Sequence, residues 1–330
     1  MRLLRYLSFR LLGILVVLLV IAVITFAIFY LLPSDPARLA CGRPCTEANL
    51  ERVRQYMGVD QPWFVQLGAF LAGIVAGREF GTTVSVHCDA PCFGYSFLRN
   101  QSVTELIGER FPATASIAIG AAILFLLLGV IGGLIAALRR NTIVDRGIMT
   151  FSIAGVSTPV YLAGILAILL FGFTLRWLPT SGYVALDDDP LQWLSHLILP
   201  WVSVAFVSAA VYARLTRSEM LEVMGLDYIR TARAKGLAER RVIGKHGLRT
   251  ALLPVVTVFG LDLGVLLGGA VITEKVFAIP GMGALLIEAV SAVDVQLIVG
   301  LTLFAAFLVV TLNLVIDLVY GFLDPRVRVS

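Results

Sequence analysis

FPATASIAIGAAILFLLLGVIGGLIAAL, residues 111–138, runs for 28 residues without a charge. A bilayer core about 30 Å thick is crossed by roughly 20 apolar residues of helix rising about 1.5 Å each. The run is continuous rather than alternating, which makes it a helix and excludes a barrel strand. Five more runs of spanning length flank it: Leu11–Leu32, Gly147–Leu175, Pro190–Ala213, Thr250–Thr273 and Val295–Ile316. Asp262 is the one charge deep inside any of them. A shorter apolar run, Val276–Ile287, has 12 residues and a Pro280-Gly281 break; it reads as a half-helix or re-entrant piece. The expected fold is an all-α membrane protein with six transmembrane helices. Composition agrees, because 58% of the 330 residues are hydrophobic and 15% charged. Soluble domains average about 45–50% and about 25%. A water-soluble enzyme and a disordered chain are excluded together.

The connecting segments set the orientation. Arg2, Arg5 and Arg10 precede the first span, Arg139, Arg140 and Arg146 surround Asp145 in the second loop, and Arg214–Arg249 carries nine basic and four acidic residues. The first, third and fifth loops are neutral or acidic. Basic residues in alternate loops place both termini and the loop 214–250 in the cytoplasm. A signal h-region has about 7–15 residues, so the 22-residue first run reads as an uncleaved anchor.

The chain divides into a cytoplasmic segment with the first span (1–32), an external loop (33–110) and a core of five spans (111–330). All four cysteines, Cys41, Cys45, Cys88 and Cys92, lie in the external loop. An even count on an oxidising face points to two disulfides, with three connectivities open. A zinc site from two Cys-x3-Cys pairs and four free thiols are the alternatives. Glu47–Met57 and Pro62–Ala76 read as helices of a small lobe, whose aromatic residues suit the membrane face or a partner.

The cytoplasmic loop contains DYIRTARAKGL, residues 227–237. Asp227 reads as an N-cap, Tyr228–Lys235 favours helix and Gly236 supplies the stop. A basic helix of about two turns is too short to stand alone in water. Tyr228, Ile229 and Ala232 form one apolar face, so the helix docks on something; the plain alternative is a loop that only sets topology or touches anionic lipid.

This segment, followed by His246, Leu248 and Arg249, resembles the permease subunits of ABC importers, specifically the dipeptide/oligopeptide (nickel/peptide) branch. Thr250 departs from the asparagine usual there. The resemblance extends along the chain through Leu32–Ala37, Gly58–Pro62, Thr104–Ile107, Arg110–Thr114 and Val276–Gly283. It implies the type I ABC importer permease fold in a bacterial cell membrane, with a small external lobe between helices 1 and 2. It makes Asp227, Tyr228, Ile229, Arg230, Thr231, Ala232, Arg233, Ala234, Lys235, Gly236 and His246 the ATPase-coupling residues. The implied partners are a second homologous permease subunit, two cytoplasmic ATPase subunits and an external solute-binding protein. The implied substrate is a di- or oligopeptide, with ATP and Mg confined to the ATPases.

The sequence holds no phosphate-binding glycine loop and no nucleophile–base or metal signature. No catalytic residue, resident cofactor, metal or nucleic-acid partner is expected. An intramembrane charge costs several kcal/mol and marks a cavity or a partner. Asp262 is therefore a candidate for the substrate pathway or for helix pairing, and Asn313 is a weaker pathway candidate. Gly260, Gly264 and Gly268 read as a close-packing stripe. An autonomous secondary transporter or channel is the alternative, although neither inverted repeats nor buried relays support it.

Overall fold

In the computed structural model, residues 2–31, 37–38, 45–48, 50–51, 54, 61–80 and 86–323 are described. Helices occupy all six expected places. Among the described residues, Val103–Leu138, Pro190–Met224, Glu239–Gly268 and Val295–Ile316 are long and apolar enough to cross a membrane. The first helix runs Arg2–Leu31. The chain separates into two compact units, Met1–Pro112 with Gly281–Thr311, and Ala113–Pro280 with Leu312–Ser330.

The third span departs from the expected single rod. It is two helices, Ile143–Ser157 and Val160–Thr174, bent by 102°. Pro159 lacks the N–H that would continue the first helix and forces its predecessor out of helical geometry. Thr158 is accordingly extended, and its hydroxyl donates to the Ala154 carbonyl at 2.8 Å. Pro200, by contrast, sits inside the continuous helix Pro190–Met224, where Ser203 donates to the Leu199 carbonyl at 2.7 Å. The fifth span also stops short of Thr273. Its helix ends at Gly268, with Gly269 at φ 142°, and a separate helix covers Val271–Val276. The expected half-helix Val276–Ile287 is displaced, because the chain turns at Phe277–Gly281 and the helix occupies Met282–Ala292.

In the first unit, helix Trp63–Ala76 lays Leu67 and Phe70 against Ala22, Val299 and Leu303. Two short antiparallel ribbons follow, Arg78–Phe80 with Val86–Cys88 and Tyr95–Ser96 with Gln101–Ser102. They are the only strands among the described residues. Phe80, Cys88, Cys92 and Tyr95 form their core. Cys88 and Cys92 are joined, with Cα atoms 5.7 Å apart. Cys45 is disulfide-bonded too. Cys41, most of Glu47–Met57 and the Leu32–Pro36 and Gly58–Asp60 motifs lie outside the described residues.

In the second unit, the helices approach through small residues. A Cβ at Gly129 would overlap Tyr212, and one at Gly155 would lie 2.7 Å from the Ala210 Cβ and 3.0 Å from the Phe206 carbonyl oxygen. Gly260 is buried where a Cβ would overlap Ile316 of the last helix, so this member of the glycine stripe serves packing.

Candidate coupling site and pathway residues

Helix Asp227–Ala234 starts one residue earlier than expected. Its N-cap is Leu226, without a side-chain cap, and Asp227 lies in the first turn. The carboxylate still complements the positive helix end, and its Oδ1 meets Arg230 at 3.4 Å. Gly236 follows at φ 75° and makes the stop. A Cβ there would meet nothing within 4 Å, so only the backbone conformation demands glycine within this chain.

The apolar face docks on the chain itself. Ile229, Ala232 and Val242 form a buried cluster flanked by Met224 and Leu237. Tyr228 belongs to the rim rather than to this socket: it is 42% exposed. Its hydroxyl donates to the His246 carbonyl at 3.1 Å and lies 3.3 Å from the Thr250 hydroxyl. Thr250, the departure from the peptide-branch pattern, thus completes a polar rim to the dock. His246 sits in a π-helical turn, Val242–Leu248, a feature frequent at functional sites. Gly247 allows that turn to close on Met220 and Met224, which a Cβ would approach to 2.9 and 3.1 Å.

The opposite face carries Arg230, Thr231, Arg233, Ala234 and Lys235, all exposed. Arg233 forms a fork with Glu239, at 3.2 Å from Nε and 2.7 Å from Nη2. That guanidinium holds the Glu239 carboxyl below its ordinary value. The result is a short basic knob, anchored by its own Ile229, that presents cations outward. It offers a docking shape and no bond-making chemistry.

Asp262 is half-buried, and its Oδ2 accepts from the fully buried Tyr212 hydroxyl at 2.8 Å. Asn313 is half-buried on the last helix, and no hydrogen bond among the described residues joins it to Asp262.

Two constellations escape sequence reading. Glu274 is fully buried; it accepts from the Thr114 hydroxyl at 2.8 Å and from the Ala270 N–H at 3.2 Å. In sequence it stands between Thr273 and Lys275, just past the end of an apolar run, where a carboxylate reads as an ordinary loop residue. Asp145 is 3% exposed and takes a two-pronged bond from Arg217, at 2.6 and 2.8 Å. Here the signal was one acid among three arginines.

Residues 129–329 match the family described as binding-protein-dependent transport system inner membrane component, and residues 3–118 match its N-terminal companion. The chain is 43% identical over 312 residues to a peptide transport system permease protein of Brucella abortus, covering 94% of this chain and 95% of that one. It is 38% identical over 325 residues to the glutathione transport system permease protein GsiC of Escherichia coli, covering 98% and 99%. In fold it is similar to a chain of the MetNI methionine ABC transporter, with a TM-score of 0.51, 17% identity, and coverage of 67% of this chain and 97% of that one. The chain belongs to the inner-membrane components of binding-protein-dependent transport systems.

Proposed function

We propose that this chain is one of two membrane subunits of an ATP-driven importer of di- and oligopeptides, forming half of its translocation pathway. The observation that carries the reading is the knob Asp227–Ala234, seated by Ile229 and Ala232 with its basic face outward. The substrate class rests on the relatives, one named for peptide transport and one for glutathione, itself a short peptide. The partners are a second permease subunit, two cytoplasmic ATPases and an external solute-binding protein. ATP and Mg act on the ATPases, and this chain is a translocation subunit rather than an enzyme. Both termini are cytoplasmic.

ATP binding closes the ATPase pair and draws the knobs together. Ile229 in its socket passes the displacement to helix Pro190–Met224 through Met224 and to the following helix through Val242. The spans then rock from inward-open to outward-open. Asp262, oriented by Tyr212, offers its carboxylate to a peptide amino terminus or basic side chain, and Asn313 adds a polar contact.

Ala234→Trp tests this, because Ala234 is exposed and Trp there obstructs a partner without entering the socket. Ala232→Asp would instead force a charge into the buried cluster and confuse docking with folding. The Trp variant should insert normally, lose the ATPases on purification and lose uptake of labelled peptide. Full uptake with ATPases bound would sink the reading, and uptake by the chain with no ATPase present would make it an autonomous transporter.

A further inference from the structure

The ion pair Asp145–Arg217 is unabsorbed by the coupling and pathway reading, yet it lies between them. Asp145 sits in the first turn of helix Ile143–Ser157. Arg217 sits near the end of helix Pro190–Met224, whose Met224 borders the socket of the knob. Every polar atom of the carboxylate is used. Oδ1 accepts from Arg217 Nε at 2.6 Å. Oδ2 accepts from Arg217 Nη2 at 2.8 Å and from the Asn141 N–H at 2.9 Å. The side chains are 24% and 5% exposed for Arg217 and Asp145. A planar fork of this kind fixes rotation and register, which a single contact does not.

Elsewhere these two helices meet through apolar groups, among them the edge-to-face pair Phe151–Phe206 with ring centroids 5.2 Å apart. Gly155 lies against the Ala210 side chain and the Phe206 carbonyl, where a Cβ would come to 2.7 and 3.0 Å. Beside it an apolar groove of about 520 Å³, lined by Phe151, Ser152, Phe206, Ala209 and Ala210 among others, leaves the packing open. These contacts are apolar, whereas the fork adds two charge-assisted bonds that fix one orientation of the pair. At the far end of Ile143–Ser157 stands the 102° bend. A pull on Pro190–Met224 therefore reaches that bend through Asp145.

We propose that Asp145 and Arg217 are positioning residues that lock helix Ile143–Ser157 to the support of the coupling knob, so that knob movement is delivered to the bend at Ser157–Pro159. The proposal rests on the coupling reading of Asp227–Ala234 and adds the route by which the movement leaves it.

The test uses the chain assembled with its permease, ATPase and binding-protein partners in lipid nanodiscs. Spin labels are introduced through a non-natural amino acid at Ile153 and Leu166, which are 58% and 54% exposed on either side of the bend. In the wild type the distance between the labels should shift between the nucleotide-free and ATP–vanadate states. Asp145→Leu with Arg217→Met removes both charges together and leaves none buried alone. This double variant should assemble and hydrolyse ATP, but lose the shift. A full shift in it overturns the proposal, as does a wild type that hydrolyses ATP with no shift. Should the double variant not assemble, Arg217→Lys carries the test. It keeps the charge and loses the fork, so the shift should shrink, and an unchanged shift overturns the proposal. A wild-type chain that binds no ATPase refutes the coupling reading itself.

Discussion

Glu274 illustrates how one side chain can organise a membrane segment. A carboxylate with no exposed surface requires donors, and it has them in Thr114 and Ala270. The bond to the Ala270 N–H caps the backbone immediately after the break at Gly269, so Glu274 holds the short helix Val271–Val276 in place. Replacing it with alanine takes this acceptor away from two donors, at a cost of about 1–3 kcal/mol. Glutamine keeps an acceptor oxygen and should recover most of that loss. Thermal unfolding of the detergent-solubilised chain, read by tryptophan fluorescence, distinguishes them: Glu274→Ala melts earlier than Glu274→Gln. Equal melting temperatures would show that the two bonds contribute nothing. Single-residue chemistry of this sort is the least legible from sequence. The charge of Glu274 was visible, but its burial depends on where the helix ends, and Gly269 ends it five residues sooner than the apolar run suggests. Asp227 stands one position inside the helix rather than at its cap for a similar reason, since capping is decided by the φ and ψ of Leu226 rather than by the best capping side chain nearby.

At the scale of elements, hydropathy located all six helices but could not see direction. Gly147–Leu175 reads as one rod because every residue in it is apolar or small. Pro159 announces an interruption, while the angle of 102° comes from packing on both sides of it. The helix Trp63–Ala76 was likewise legible as a helix and not as to its surroundings. It carries no charge, and Gln66 is its one strongly polar residue. Its inner face meets Ile21, Ala22 and Val23, midway along the first apolar run, and Val299 and Leu303 of the last helix. Phe64 and Val75 are 60% and 82% exposed, and Leu19, Val20 and Ile24 of the first helix are exposed as well. A helix at that depth with apolar residues outside belongs against lipid. Benzoylphenylalanine at Phe64 or Val75, irradiated in native membranes, should therefore cross-link to phospholipid. The same probe at Leu98, in the turn between the second pair of strands, should not. A cross-link from Phe64 or Val75 to a protein would place this helix against a partner instead.

At the scale of the whole chain, the bend in the third span raises a question of parity. Six crossings leave the two termini on one side, and five would leave them on opposite sides. If Ile143–Ser157 and Val160–Thr174 turned back without crossing, the loop Arg214–Arg249 would emerge on the side opposite Arg139–Arg146. Nine basic residues would then face outward, against the charge asymmetry that orients membrane helices. The charges thus argue that the bent pair crosses, with Arg139–Arg146 inside and Asp187–Asp189 outside. The lysines make the argument testable without any substitution, because the chain has three: Lys235, Lys245 and Lys275. All three are exposed. With an even number of crossings, Lys235 and Lys245 lie in the cytoplasm and Lys275 lies outside. A membrane-impermeant amine reagent applied to intact cells, or to spheroplasts where an outer membrane intervenes, should modify Lys275 alone. Lys235 and Lys245 should react only after permeabilisation, as peptide mass mapping of the purified chain would show. Modification of Lys235 in sealed cells would reverse the orientation of the knob, and with it the side from which any ATPase could reach Arg230 and Arg233.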